Sequence, residues 1–192
     1  GGLTYRLGVV NGQGLSDINP QKDIYGKATY KIGGLGEIGG AEAGESEVSE
    51  FYIDNSITLG GFFYNGTASK ASANDEDFTV FGGDVDFWYD RFIANGAVML
   101  MNSDIPNTDK RKSMLYYAQG NYVLYPWLIG LLRYEWEDKD TDKDAVEPVN
   151  AIIPGVTVMA RANVKFILEL KKYLDEANKN NDTFVMQMNF GI

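Results

Sequence analysis

Two carboxylates lie close together in one strand-like run of this 192-residue chain. Asp84 and Asp86 are two positions apart, so both side chains point to the same face of a β-strand. Paired carboxylates can perform general acid–base catalysis, which would suit a hydrolase. No histidine, nucleophile motif or metal-binding cluster accompanies them in the sequence. The favoured interpretation is therefore a polar lining and not an enzyme, with an outer-membrane hydrolase as an alternative.

A second motif, G-x-G-x-x-G, runs from Gly34 through Gly36 to Gly39. This motif binds dinucleotides when it follows a strand and opens a helix. The residues that follow, 40–47, are rich in glycine and glutamate and have no apolar helical face. Their carboxylates would repel a pyrophosphate. The motif therefore predicts a glycine-rich turn.

The composition excludes several classes of chemistry. The chain has no cysteine and no histidine, which excludes disulfides, zinc–thiolate sites and histidine-based catalysis or haem ligation. We expect no cofactor and no metal site. A net charge of −10 argues against nucleic acid as a partner. The 22 glycines and abundant aromatic residues, with only 5 prolines, are typical of many strands joined by tight turns.

The elements that must position these residues are strands. The clearest is the final run, in which Phe184, Met186, Met188 and Phe190 alternate with mostly polar residues. Comparable runs occur at 3–11, 23–33, 55–66, 77–89, 91–102, 113–124, 127–137, 150–160, 163–173 and 183–192. Most have the length that a tilted strand needs to cross a bilayer, and no stretch of 18 apolar residues predicts a transmembrane helix. The pattern predicts an all-β, antiparallel transmembrane β-barrel.

This barrel is expected to be a single domain over residues 1–192. About ten strands would belong to this chain, either as a complete barrel or as the C-terminal portion of a larger one with 16–18 strands. The connections alternate between short turns, as at 89–91 and 125–127, and long polar loops, as at 138–149. Outer-membrane barrels have short periplasmic turns and longer extracellular loops. The segment 34–54 is an exception, because it is too long for its side of the barrel.

Two further patterns support a membrane setting. Aromatic residues cluster near strand ends, as at 87–89 and 122–127, which is typical of membrane-interface belts. The core of a soluble barrel is the alternative explanation. Acidic residues concentrate in the long loops, as at 138–144, where they either keep the loops solvated or bridge divalent cations to anionic lipids.

Splitting the strands by parity separates an apolar set from a polar set. Charged side chains facing hydrocarbon at mid-depth cost roughly 2–4 kcal/mol each, so the polar set should face the lumen. The predicted lumen-lining residues are Arg6, Lys27, Lys31, Asp84, Asp86, Gln119, Asn121, Arg133, Glu135, Lys165, Glu169 and Lys171. With six bases against four acids, this lumen is expected to be slightly basic, although the chain as a whole is acidic.

Three segments resemble a known family. Residues 3–14 and 25–32, together with 163–173 before the terminal strand, are similar to the later strands of outer-membrane porins of the phosphate-selective O/P type. The resemblance implies a larger barrel, usually a 16-stranded trimer, that takes anions through a constriction lined by Lys and Arg. This chain would correspond to roughly the C-terminal half. It departs from the family in length, in its acidic loops and in its mixed lumen, which leaves phosphate selectivity open.

The favoured function is therefore a porin in the outer membrane of a Gram-negative bacterium. It would allow passive diffusion of small hydrophilic solutes or ions, would contact the lipid bilayer and outer-membrane lipids, and would assemble as a homotrimer if it follows the family. A structural barrel that houses or grips a partner protein is the main alternative. A soluble β-barrel is a further alternative.

Overall fold

The computed structural model describes residues 2–11, 21–34, 54–68, 76–104, 110–143, 147–161 and 164–190, and these form one antiparallel sheet. Its ten strands lie side by side in chain order. They are β1 (Gly2–Val10), β2 (Asp23–Gly33), β3 (Ser56–Ala68), β4 (Glu76–Tyr89), β5 (Phe92–Asp104), β6 (Arg111–Tyr125), β7 (Leu128–Asp138), β8 (Val149–Arg161), β9 (Val164–Tyr173) and β10 (Thr183–Phe190). The all-β, antiparallel prediction is confirmed.

No helix within the described residues has the length and apolar character needed to cross a membrane.

The sheet is open. β1 pairs with β2 alone and β10 with β9 alone, and within the described residues these two outer strands do not meet. Of the two alternatives that the sequence left open, a complete barrel of ten strands is therefore not what the described part of the chain forms. The reason is physical: alternation reports which way a side chain points, whereas closure needs hydrogen bonds between the first and last strands.

The two ends of the sheet differ in their connections. β4 and β5 are joined by Asp90 and Arg91, and β6 and β7 by Pro126 and Trp127, as the sequence predicts. Asp90 adopts a left-handed backbone conformation (φ 50°), which aspartate tolerates in turns, and its N–H donates to Asn55 Oδ1 at 2.9 Å. This is the short-turn end. Of the long segment predicted at 34–54, residues 35–53, and with them most of the glycine motif, lie outside the described residues.

At the opposite, long-loop end, the described loop residues are held against the strands. The Thr141 N–H donates to the Lys112 carbonyl at 2.8 Å, and Ser113 Oγ donates to the Lys139 carbonyl at 2.8 Å. In the loop between β9 and β10, Asp175 accepts hydrogen bonds from the Asn178 side chain at 2.6 Å and from the Asn150 N–H at 3.3 Å. These bonds tie the loops to neighbouring strands.

The sheet has one polar and one apolar face. Residues directly opposite each other in an antiparallel pair point to the same side. One row of opposed residues runs across six strands through Lys31, Thr58, Asp86, Asn95, Gln119 and Arg133. We call this side the polar face. The opposite side, the apolar face, exposes large hydrophobic side chains, and Tyr5 and Leu7 on β1 are each 74% exposed.

Aromatic residues lie at both ends of the apolar face. Tyr125 and Trp127 stack at the short-turn end, with ring centroids 5.6 Å apart. Tyr116 and Trp136 stack nearer the long-loop end at 5.0 Å. Trp88, which the sequence groups with its aromatic neighbours, lies instead on the polar face, opposite Ser56 and Ile93.

Candidate functional site

The register places all twelve predicted side chains on the polar face. Besides the row that includes Lys31, Asp86, Gln119 and Arg133, this face carries Arg6, Lys27, Asp84, Asn121, Glu135, Lys165, Glu169 and Lys171. Period-two alternation was therefore sufficient to assign each residue to its face, because the side-chain direction in a strand depends only on parity.

The polar face also holds charged residues that the sequence reasoning missed. Within the described strands, they bring the face to seven basic and seven acidic residues: Arg6, Lys27, Lys31, Arg111, Arg133, Lys165 and Lys171 against Asp23, Glu76, Asp84, Asp86, Glu135, Glu137 and Glu169. The prediction of a slightly basic face is thus wrong. Parity could have found Asp23 and Glu137, whereas Glu76 and Arg111 fell just outside the predicted strands.

A compact group of charges covers β7 to β9. Arg133 Nε lies 2.8 Å from Glu135 Oε1, and Arg133 Nη2 lies 3.1 Å from Glu169 Oε2. Lys171 Nζ lies 2.8 Å from the other oxygen of Glu135, and Arg133 Nη1 donates to Gln119 Oε1 at 3.3 Å. We call Gln119, Arg133, Glu135, Glu169 and Lys171 the Arg133 cluster. Its two bases and two acids balance, so the group is electrically neutral as a whole.

The charged members of the Arg133 cluster meet across β8 because that strand presents small and aliphatic side chains beneath them. Ala151 and Ile153, on the polar face of β8, are each only 1% exposed. Gly155 lies opposite Glu169, and a Cβ there would come within 3.0 Å of the Glu169 Cγ. A larger residue at 155 would push the glutamate away from the arginine. The sequence of β8 therefore permits contacts between strands that are not neighbours.

A second bridge of the same kind lies at the other side of the sheet. Lys27 Nζ on β2 contacts Asp84 Oδ1 on β4 at 2.6 Å, across the width of β3. The residue beneath is Gly60, and any Cβ there would overlap the Asp84 carboxylate. Asp84 is thus committed to an ion pair, which does not favour a role as a catalytic base.

A third bridge crosses β5 near the long-loop end. Glu76 on β4 contacts Arg111 Nη2 on β6 at 3.4 Å and accepts a hydrogen bond from Ser103 Oγ on the strand between them. Glu76 is only 6% exposed, so these partners compensate a charge that is withdrawn from water. On the short-turn side, Lys31 Nζ contacts Asp54 Oδ2 at 2.7 Å. Most charges on the polar face are therefore paired.

Two bases on this face have no charged partner among the described residues. Arg6 on β1 and Lys165 on β9 are both exposed. The neutral predicted residues are paired with each other, since Gln119 Nε2 donates to Asn121 Oδ1 at 3.1 Å. The two unpaired bases therefore lie towards opposite edges of the sheet.

The polar face contains an apolar area that the sequence reasoning missed. Phe62, Tyr64, Phe78, Val80 and Met99 lie on it together, and we call this group the aromatic patch. The rings of Tyr64 and Phe78 stack with centroids 5.7 Å apart. A cavity of about 810 Å³ lies against the patch. The signal in the sequence was the loss of alternation at 78–81 and 97–101, where apolar residues occupy both parities.

The polar face offers limited chemistry beyond charge. Among the described residues, no group of three or more acidic, histidine or cysteine side chains is placed to hold a metal ion. Asp86 lies on the same side as Asp84, with Thr58 and Asn95 directly opposite it on the neighbouring strands, and no histidine can act as a base because the chain has none. The arrangement is suited to contacting ions and polar solutes.

Comparisons with protein-family models, with curated protein sequences and with solved structures find no match for this chain. The resemblance to porins of the O/P type therefore stays a prediction based on strand patterns. Function must be inferred from the geometry of the two faces.

Proposed function

We propose that this sheet is part of an outer-membrane β-barrel channel through which small hydrophilic solutes and ions diffuse. The polar face would line a water-filled lumen and the apolar face would contact lipid. The observation that carries the proposal is the continuous apolar face, from Leu3 on β1 to Phe190 on β10, directly behind a charged one. Soluble monomers rarely expose contiguous apolar areas beyond a few hundred Å².

The dimensions of the apolar face fit a bilayer. On the central strands it extends over Phe81–Tyr89, Phe92–Leu100, Met114–Tyr122 and Leu128–Trp136. Each span has about nine residues, within the roughly 9–11 that a transmembrane strand uses. At about 3.3 Å per residue and a tilt of about 40°, such a span covers roughly 23 Å, close to the ~25 Å apolar band of known barrels.

A sharp polar boundary ends the apolar face towards the long loops. Asn65, Thr79, Asn102 and Lys112 lie directly opposite one another on four successive strands. Asn65 Nδ2 donates to Thr79 Oγ1 at 2.9 Å. Rings of Tyr and Trp lie close to both limits of the apolar face, where amphipathic aromatic side chains favour a membrane interface.

The outer edges of β1 and β10 indicate how the sheet would be completed into a barrel. Each edge has backbone N–H and C=O groups without a ladder partner among the described residues, and in hydrocarbon each such group costs several kcal/mol. We therefore propose that further strands pair with both edges and close a larger barrel of 16–18 strands. In this orientation the short-turn end is periplasmic and the long loops are extracellular, and a homotrimer is the proposed assembly.

Cysteine accessibility tests the proposal, because the chain has no cysteine of its own. Gln119 and Ala118 are adjacent on β6 but lie on opposite faces. We expect a cationic, membrane-impermeant thiol reagent to modify Gln119→Cys in planar bilayers and to lower the conductance of open channels. Ala118→Cys is the matched control, and its side chain in lipid should not react.

Two outcomes would overturn the proposal. One is equal labelling of both variants in a folded, membrane-inserted protein, since both faces would then be in water. The other is a folded, inserted protein without ion conductance. If that protein also retained a stoichiometric partner chain, the structural barrel that grips a protein would be the better explanation.

A further inference from the structure

The cavity beside the aromatic patch is an open concavity in the polar face, with the size and lining of a ligand site. Its volume of about 810 Å³ lies within the roughly 300–1,000 Å³ of small-molecule pockets, which are lined mainly by apolar side chains and a few polar groups. Phe62, Phe78, Val80 and Met99 supply the apolar wall. Water against this wall finds few hydrogen-bond partners, so an apolar solute group would displace it favourably.

The charged groups at this cavity differ in accessibility. Arg6 is exposed, lies directly opposite Lys27 and has no charged partner among the described residues. The Lys27 side chain is 45% exposed, whereas the side chain of its partner Asp84 is only 14% exposed. Asp86 is also partly buried. A solute that enters the cavity therefore meets positive charge first.

We propose that this cavity binds aromatic carboxylates. The ring of the solute would lie against Phe62, Phe78 and Met99, and its carboxylate would be bound by the Arg6 guanidinium, whose planar donors match a carboxylate with two parallel hydrogen bonds. Lys27 beside it adds positive charge. This proposal rests on the proposed channel function, because solutes would reach the cavity from the lumen.

Other solute classes fit the cavity less well. An organic cation would have to compete with Lys27 for Asp84, to which the ammonium is bound at 2.6 Å, and the other acid of the cavity, Asp86, is only partly exposed. A sugar would place hydroxyl groups against Val80 and Met99, which offer them no strong hydrogen bonds. Inorganic phosphate would leave the apolar wall unused. A ring with one carboxylate uses both the wall and the exposed base.

Benzoate binding to the full chain, folded in detergent micelles, tests the inference by isothermal titration calorimetry, with empty micelles as the blank. We expect benzoate to bind about tenfold or more tightly than acetate, which lacks the ring, and than benzylammonium, which reverses the charge. Arg6→Gln and Phe62→Ala should each weaken benzoate binding by about tenfold. Lys165→Gln is the matched control, because Lys165 is the other unpartnered base of the polar face and lies away from the cavity.

The possible results separate this inference from the channel proposal. Equal affinity for benzoate and acetate, or equal weakening by Lys165→Gln and Arg6→Gln, would overturn the aromatic carboxylate site even if the channel conducts ions. Benzoate binding that depends on Arg6 in a protein without conductance would uphold the site and overturn the channel. Far-UV circular dichroism establishes that each variant is folded, and the more conservative Phe62→Leu replaces Phe62→Ala if the latter is not.

Discussion

The Arg133 guanidinium and the Glu169 carboxylate meet across the whole width of β8, with Nη2 3.1 Å from Oε2. The two side chains are only 23% and 19% exposed, so this contact is better shielded from solvent than a typical surface ion pair. Because the Arg133 cluster is neutral, it should impose little ion preference while it is intact. Removing one charged member should leave the remaining members with a net charge, which should change the ion selectivity.

Replacing Arg133 tests this balance. Arg133→Gln leaves Glu135 and Glu169 opposed by Lys171 alone, so the cluster gains one net negative charge. We expect the reversal potential under a KCl gradient to shift towards cation selectivity. We also expect the free energy of unfolding to fall by about 1–3 kcal/mol, because two carboxylates lose their shared donor.

The matched control for that experiment is the double variant Arg133→Gln with Glu169→Gln. It restores neutrality, so its reversal potential should return close to that of the unmodified protein. A reversal potential that does not change in the single variant, with the channel still open, would show that the cluster is not on the conducting path.

Gly60 is predicted to be required for the Lys27–Asp84 bridge. Gly60→Ala places a methyl group where the Asp84 carboxylate lies, so the ion pair must separate or the strand must shift. We expect a loss of about 1 kcal/mol in the free energy of unfolding, measured by urea titration of the protein folded in lipid vesicles. In an Asp84→Ala background the same substitution should have little effect, since the overlapping group is gone.

Gly61 provides the control for this glycine. It is the next residue on β3 but lies on the other face, where a Cβ would be 3.9 Å from the nearest atom of the neighbouring strand, the Gly82 carbonyl oxygen. Gly61→Ala should therefore leave stability nearly unchanged. Equal losses for the two substitutions would indicate a general backbone effect and not the loss of the bridge.

The stability of the loop between β9 and β10 should depend on pH through the ionisation of Asp175. Burial of its carboxyl acts to raise the pKa, but hydrogen bonds from the Asn178 side chain and from the backbone N–H groups of Asn150 and Asn178 outweigh it and hold the pKa below that of an ordinary aspartate. Because the pKa is lowered in the folded state, the ionised Asp175 carboxyl stabilises the fold fully at pH values above its pKa in the unfolded chain, about 3.9. This stabilisation is lost as the pH falls through the pKa of the folded state. The titration of the Asp175 carboxyl ¹³C signal measures this midpoint.

Asn178→Ala removes one of these donors, so the Asp175 midpoint should rise towards the ordinary aspartate value. An unchanged midpoint would show that the Asn178 side chain does not contribute in solution.

Adjacent residues on β9 should differ in their tolerance of charge. Leu168 lies mid-strand on the apolar face, opposite Val156 and Met186, whereas Ile167 lies on the polar face opposite Gln187. Leu168→Arg should reduce the free energy of unfolding, measured in lipid vesicles, by roughly 2–4 kcal/mol, as expected for arginine at the bilayer midplane. Ile167→Arg should cost less than half as much, and equal losses would contradict the assignment of the apolar face to lipid.

The sequence by itself determined the strands and their faces. Alternation located all ten strands to within a few residues and put Arg133, Glu169 and the other predicted residues on the correct side, because side-chain direction in a strand is a local property of the chain. It failed where alternation lapsed: Phe78, Val80 and Met99 turned out to share the polar face, and Glu76 and Arg111 lay just beyond the predicted strand limits.

Only the tertiary structure decided which charges meet. Lys27 and Asp84 are 57 residues apart in the chain and Arg133 and Glu169 are 36 apart, and each pair is separated by a strand whose small residues leave room for the contact. Pairing of this kind depends on register and on the side chains of the intervening strand, which no local pattern encodes. The same holds for closure, because the hydrogen bonds that would complete a barrel join strands at opposite ends of the sheet.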